Sequence, residues 1–172
     1  APDWFIENQK DGPNPHDALN DPEQSAAVLQ AHVDEGLKLA KRHRLPRPIA
    51  DFIPEHQGTL KMGFFLHKAR QINPNIEERR FRYHGPSPQS KETGILMLAD
   101  GCEAALRSLP PDTSDAEAKD TGRRIVESRQ QDGQLRKSGL SRSEVELLVQ
   151  AFVKVWRRMR HRRIPYPIPA RP

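Results

Sequence analysis

Apolar residues recur at intervals of three and four along most of the chain, which is the spacing of one face of an α-helix. The first such stripe consists of Leu29, Val33, Leu37 and Ala40. Asp21 precedes it as a predicted N-cap, with Pro22 at the first helical position and Gln24 as the capping-box partner. The pattern stops near Arg44, before Pro46. We therefore predict a long first helix between these two signals.

Further stripes and start signals predict the other helices. A short helix is expected from about residue 49 to 56, and a third from residue 59 to about 73. Ser87-Pro88 is expected to open the next helix, and capping boxes at 114–117 and 141–144 open two more. Because no run alternates with a period of two, the sequence predicts an all-α fold of roughly six helices.

The 172 residues suffice for one domain with its own core. Pro, Gly, Asn and Asp are frequent over residues 1–20, so we predict a loop there. The predicted helical core covers residues 21–163. Residues 164–172 alternate with prolines and form a predicted Pro-rich tail, which cannot be helical.

Composition limits the possible functions. Charged residues make up 30% and hydrophobic residues 35% of the chain, which suits helices with thin apolar stripes. The net charge of +5 permits an anionic partner. Much of the surplus lies in an Arg run over residues 157–163, which fits either a solvated helix end or a nucleic-acid surface. Cys102 is the only cysteine, so an intrachain disulfide is excluded. The scattered glycines form no phosphate-cradling loop.

Three residues are candidate metal ligands: His32, His56 and Asp100. Asp100 lies between apolar neighbours in a predicted helix, where burying a carboxylate without a partner or a cation would be costly. Imidazoles and carboxylates together suit first-row transition metals. The alternatives stay open, because a His beside an apolar stripe can be a core residue and Asp100 can pair with a basic side chain. Tyr83 can either stack on a base or hold a loop against the core.

Three more residues are candidates for contact with phosphate. Arg107 lies seven positions after Asp100 on the same predicted helix face, although it can equally pair with Glu103. Lys91 begins that helix, and Thr59 follows the turn after the second candidate histidine. Both can instead be capping or surface residues.

Short segments along the whole chain also occur in a familiar order. They comprise residues 4–9, 14–17, 31–36, 55–59, 65–69, 81–86, 88–92, 96–100, 103–105, 132–135 and 163–167. Together they resemble the cytoplasmic HD domain of the seven-transmembrane HD family. That family includes PgpH-type phosphodiesterases, which hydrolyse cyclic di-AMP to the linear dinucleotide pApA.

The resemblance implies an HD-domain helical bundle with a two-metal site, loaded with Mn or Fe. The family builds this site from a His, a His-Asp pair, a His, a His-His pair and an Asp. His32, His56 and Asp100 match three of these positions and are implied to be metal ligands and catalytic residues. The first His and the His-Asp pair are expected upstream of Ala1, so the bundle is expected to be truncated at its N-terminal side. Gln57 stands where the family commonly has the second His of the pair.

The implied function is metal-dependent hydrolysis of a cyclic dinucleotide, with Thr59, Lys91 and Arg107 as substrate-binding residues. The alternative is a degenerate HD domain that binds a cyclic nucleotide without cleaving it. The expected partner is the cyclic dinucleotide rather than nucleic acid, and a homodimer is an option. The resemblance also implies a cytoplasmic domain of a bacterial inner-membrane protein, with membrane contact only through a transmembrane region upstream.

The chain does contain one literal His-Asp dipeptide, His16-Asp17. It lies in a predicted loop beside Pro15, whereas the family pair is helical and comes earlier in the sequence. We therefore predict that this dipeptide binds no metal.

Overall fold

The computed structural model describes residues 15–160, which fold into α-helices. These are α1 Pro15–Leu19, α2 Pro22–Arg42, α3 Arg47–Ala50, α4 Phe52–Glu55, α5 Gly63–Ile72, α6 Lys91–Arg107, α7 Asp115–Gln131 and α8 Arg142–Arg160, with a 3-10 helix at Glu78–Phe81. Within this range the β pairing is limited to an isolated bridge between Lys61 and Arg82. The predicted all-α fold is confirmed. Each helix between residues 15 and 160 is too short or too polar to cross a bilayer.

Local sequence signals explain most helix starts. The side chain of Asp21 accepts hydrogen bonds at 3.0 Å from the backbone N–H groups of Glu23 and Gln24, as an N-cap should. Helix α6 starts later than predicted, at Lys91, because Ser90 is its N-cap and forms a capping box with Thr93. The predicted start at Ser87-Pro88 was therefore wrong by about one turn.

Helix α5 also begins later than predicted, at Gly63. The backbone just before Gly63 is hydrogen-bonded instead to the end of the 3-10 helix and the residues that follow it. Met62 N–H donates to the carbonyl of Phe81 at 2.8 Å, and Tyr83 N–H donates to the carbonyl of Leu60 at 3.1 Å. These long-range bonds replace the first turn of the predicted helix, a competition that local sequence does not reveal.

Two smaller differences concern short helices. The predicted loop over residues 1–20 contains α1, whose first residue Pro15 has the backbone angle that a helix start requires. The single helix predicted over residues 49–56 is divided into α3 and α4 at Asp51. The segment before Pro15 and the Pro-rich tail lie outside the described residues.

The helices form two groups that meet at α4. In one group, α2, α5 and the 3-10 helix enclose a core of Ala26, Met62, Leu66, Ala69, Ile76 and Phe81. In the other, α6, α7 and α8 pack together around Met97, Leu98, Val126, Leu135, Val145 and Val149, and farther along around Cys102, Leu106, Ala118, Val153 and Trp156. Helix α4 contacts both α2 and α6, so the chain that leaves α4 lies at the boundary between the groups.

Candidate functional site

The two candidate histidines lie side by side at this boundary. His32 projects from α2 and His56 directly follows α4, and their ring centroids are 5.7 Å apart. Close approach of the two helices depends on Gly36. A Cβ atom built there would lie 2.8 Å from Cγ2 of Ile53 on α4. The absence of a side chain at this position therefore lets α2 bring its histidine next to the second one.

Both imidazole rings are oriented by backbone carbonyls. Nδ1 of His32 is bonded to the carbonyl of Leu29. Nδ1 of His56 lies 2.7 Å from the carbonyl of Ile53 and 3.1 Å from that of Phe52. A carbonyl can only accept, so Nδ1 carries the proton in each ring and Nε2 carries the lone pair. Metal-binding histidines are commonly oriented in this way.

Electrostatic effects place Asp100 and Tyr83 in the same region. The pKa of His32 is lowered, mainly by burial and further by His56, while Asp100 acts in the opposite direction. Burial, aided by the charge of Asp100, raises the pKa of Tyr83 to about 12. The Tyr83 ring also meets the ring of His32 edge-on, with centroids 5.8 Å apart. The charge of Asp100 thus acts on both His32 and Tyr83, which places the carboxylate in the neighbourhood of the histidine pair.

Asp100 lies among apolar neighbours in the sequence, but its side chain is exposed in the structure. The cost of burying a carboxylate therefore does not arise at this position, and it gives no support to a metal ligand here. The neighbours Met97 and Leu98 take up the inward face of α6, at 1% and 0% exposure. Asp100 follows Leu98 by two residues, which is about 200° around the helix, so its carboxylate points toward solvent.

The described residues do not complete a metal site. Across residues 15–160, no three His, Cys, Asp or Glu side chains come close enough together to hold a metal ion. What they offer is a pair of correctly oriented imidazoles and a nearby carboxylate. The donor chemistry suits a divalent transition metal, while the number of donors is insufficient.

A buried carboxylate anchors the backbone just before His56. Glu55 is only 5% exposed. Its Oε2 accepts a hydrogen bond at 2.8 Å from Gln89 N–H and another at 2.6 Å from the hydroxyl of Thr93. The anchored partners belong to the start of α6, the helix that carries Asp100 farther along. Glu55 therefore fixes the His56 turn relative to that helix.

A second network anchors the backbone just after His56. The buried amide of Gln134 accepts from Thr59 N–H at 3.0 Å and donates to Asp132 at 2.8 Å. Arg82 binds both carboxylate oxygens of Asp132, at 3.0 and 3.1 Å, and donates to the carbonyl of Thr59 at 2.9 Å. Hydrogen bonding to Asp132 is the main reason that the pKa of Arg82 is raised. The turn is thus tied to the end of α7.

The candidate phosphate contacts have other partners in this structure. The hydroxyl of Thr59 bonds with the amide of Gln134, whose Nε2 donates to it at 2.9 Å. Lys91 pairs with Glu144 at 2.5 Å. Because it is nine positions before Asp100, at about 100° per residue, Lys91 lies on the opposite face of α6. Arg107 forms an exposed ion pair with Glu103 on the same face as Asp100.

The literal His-Asp dipeptide lies elsewhere, between α1 and α5. The ring of His16 is 5.1 Å from that of Phe65. Asp17 pairs with Lys68 at 3.2 Å. Both side chains therefore hold α1 against α5.

Sequence reasoning overlooked one residue near Asp100. Arg129, in the last turn of α7, lies against Gly101, where a Cβ atom would be 3.1 Å from its Nη2. Its pKa is lowered, mainly by burial, and Asp100 is among the charges that oppose this effect. A single Arg near a helix end carries no distinctive sequence signal, since cations are common there.

Comparison with known proteins gives a consistent result, although no family model matches the chain. The chain is 47% identical over 171 residues to an uncharacterized protein of Synechocystis, slr0104. It is 36% identical to the cyclic-di-AMP phosphodiesterase PgpH of Listeria monocytogenes and 35% identical to PgpH of Bacillus subtilis, over 166 residues in each case. It covers 21% to 23% of the length of these curated relatives, so it spans about a fifth of each.

Solved structures support the same relationship. The crystal structure of the L. monocytogenes PgpH HD domain in complex with cyclic-di-AMP superimposes with a TM-score of 0.85 at 34% identity. This match covers 92% of the chain and 73% of the solved domain. A second crystal structure of that domain gives a TM-score of 0.84 at 32% identity. Sequence and fold therefore agree that this chain belongs to the family of PgpH HD domains.

Proposed function

We propose that this chain forms part of a divalent-metal-dependent phosphodiesterase that hydrolyses cyclic di-AMP to pApA. The observation that carries the proposal is the pair formed by His32 and His56. In each ring, Nδ1 is bonded to a backbone carbonyl, and this bond leaves Nε2 with the lone pair that can bind a metal. The names of the PgpH relatives and the cyclic-di-AMP complex of one of them support the substrate.

We propose that both histidines would hold the same metal ion, because their rings lie side by side, with centroids 5.7 Å apart, and each Nδ1 is occupied by a backbone carbonyl. We propose Mn or Fe as the metal and a two-metal site in the complete domain, with Asp100 as a ligand and the remaining donors from outside residues 15–160. Bound metal would neutralise phosphate charge and make the attacking water more acidic.

The other side chains would bind and orient the substrate. Tyr83, whose pKa is raised to about 12, stays a neutral phenol that can donate a hydrogen bond to a phosphate oxygen. Arg107 lies on the Asp100 face, and its exposed pairing with Glu103 is weak enough to be exchanged for a phosphate. Thr59 is assigned to holding the His56 turn through its bond with Gln134, and Lys91 is assigned no substrate contact.

The test uses a longer natural chain that extends upstream of Ala1, loaded with Mn. We expect bound metal and conversion of cyclic di-AMP to pApA, both abolished by His56→Ala. His67→Ala is the matched control, since His67 is an exposed histidine on α5 that bonds only weakly with Gln71. If the longer chain neither holds metal nor cleaves a cyclic dinucleotide, the proposal fails.

A second candidate function has a specific observation in its favour. Gln57 follows His56 at the position where the family commonly has a second histidine, and an amide is a poor ligand for transition metals. A domain with a weakened metal site would sense the nucleotide without cleaving it. Cyclic-di-AMP binding without turnover in the longer chain would support this alternative. Restored turnover in Gln57→His would link the loss to this position. Membrane attachment and dimerisation stay predictions from the family resemblance.

A further inference from the structure

Arg129 is a cation with an unusual environment. Its side chain is partly buried between α7 and α6, and its Nε atom is fully buried without a hydrogen-bond partner. Within residues 15–160, no ion pair or hydrogen bond involves its guanidinium. Most other arginines of α7 and α8 differ in this respect, for example Arg123, which pairs with Glu146 at 2.7 Å.

Burying an unpaired guanidinium opposes folding, because the charge loses water without gaining a partner. The dipole of α7 favours a cation in its last turn, but it does not account for burial of Nε. The same guanidinium becomes favourable when an anion binds beside it, because the anion then supplies a counter-charge. Burial is the main reason that the pKa of Arg129 is lowered, and the opposing effects of Cys102, Asp100 and Asp132 offset it only in part.

The position of Arg129 identifies the anion that it would meet. Gly101 leaves room for the guanidinium, since a Cβ atom there would lie 3.1 Å from Nη2. Gly101 directly follows Asp100, and the charge of Asp100 acts on Arg129 although the two side chains form no ion pair. The guanidinium therefore lies against the residue that follows Asp100, close enough for the charge of Asp100 to act on it but without an ion pair between the two side chains.

We propose that Arg129 binds a phosphate group of the substrate next to Asp100. A guanidinium can donate two parallel hydrogen bonds to a phosphate, which gives orientation as well as charge. The inference rests on the proposed phosphodiesterase site and adds to it a substrate-binding residue on α7. It also explains why α6 carries a glycine immediately after Asp100.

The test compares Arg129→Met, Arg129→Lys and Arg123→Met in the longer Mn-loaded chain. Arg129→Met should raise the melting temperature of the ligand-free protein, because it removes an unpaired charge from a partly buried place. It should also weaken cyclic-di-AMP binding about ten- to hundredfold, the range for losing a charged hydrogen bond. Arg129→Lys should bind with intermediate affinity, and Arg123→Met should change neither quantity by much.

Two results would overturn the inference. One is an unchanged dissociation constant in Arg129→Met, and the other is a parallel loss of melting temperature and affinity, which would make the side chain structural. If the unaltered protein does not bind cyclic di-AMP, the proposed function fails separately. In that case the protein is titrated with inorganic phosphate and followed by NMR. The signal of the Arg129 Nε–H group should shift, while that of Arg123 should stay constant. No shift at Arg129 would end the proposal.

Discussion

Gly58 is the position where a minimal change should most disturb the candidate site. It follows His56 by two residues and has a φ of +54°, a conformation that residues with a Cβ atom rarely adopt. A Cβ atom there would lie 2.6 Å from Oε1 of Gln134 and 2.7 Å from Cε of Met97. Gly58→Ala therefore adds backbone strain and also displaces the amide that anchors the turn.

The expected size follows from these two effects. The left-handed conformation costs a non-glycine residue about 1–2 kcal/mol. Moving the amide of Gln134 weakens its bonds with Thr59, and each such bond contributes about 0.5–1.5 kcal/mol. Gly58→Ala should thus lower the free energy of unfolding by about 2–4 kcal/mol, or the melting temperature by about 5–15 °C for a chain of this size.

Urea and thermal unfolding followed by circular dichroism measure both quantities. Gly133→Ala is the matched control for strain alone, because Gly133 has a φ of +73° but meets only the flexible side chain of Arg136. Gly63→Ala is the control without either effect, since nothing lies within 4 Å of its Cβ position. It should be neutral or slightly stabilising. If Gly58→Ala were no more destabilising than Gly133→Ala, the argument about the Gln134 anchor would be refuted.

Three further outcomes are expected. Arg82→Gln should lower the free energy of unfolding, measured in urea, by about 1.5–3 kcal/mol. Arg107→Gln breaks only an exposed ion pair and should change this free energy by less than about 1 kcal/mol. Equal effects of the two substitutions would contradict the hydrogen-bond network described for Arg82. Cys102 is 0% exposed and burial raises its pKa to about 11, so mass spectrometry should find it unalkylated at about pH 8 until urea unfolds the chain. Burial lowers the pKa of His32 from its ordinary 6.5, so the unfolded chain takes up the proton first and the metal-free protein should lose stability as pH falls below about 6.5; His32→Gln should flatten this part of the profile, and an unaltered slope would show that other groups cause it.

Local sequence determined the helices and their caps, because the signals act within a few residues. The capping box at Ser114 and Glu117 forms as predicted, with Ser114 N–H donating to the Glu117 carboxylate at 2.9 Å. Its geometry needs only the first turn of the helix. Where a long-range partner competes, the local signal fails: α5 starts at Gly63 because the chain before it pairs with the segment after the 3-10 helix.

At the candidate site, too, the sequence determined the residue types and the tertiary structure determined their arrangement. Residue type and family resemblance made His32, His56 and Asp100 candidate ligands, since imidazoles and carboxylates have recognisable chemistry. Their arrangement was decided by tertiary structure: the close approach at Gly36 brings the rings to 5.7 Å, and the packing of Met97 and Leu98 leaves Asp100 exposed.

Arg129 is the residue whose environment the sequence alone could least predict. By sequence it is one of many arginines at a helix end, and its charge alone predicts a solvated side chain. Only the packing of α7 against α6 makes it a partly buried cation next to Gly101, with no ion pair among residues 15–160. The sequence by itself determined which groups could carry charge or bind a metal. Burial and separation, which set the energy of each charge, depend on residues far apart in the chain and were decided by the tertiary structure.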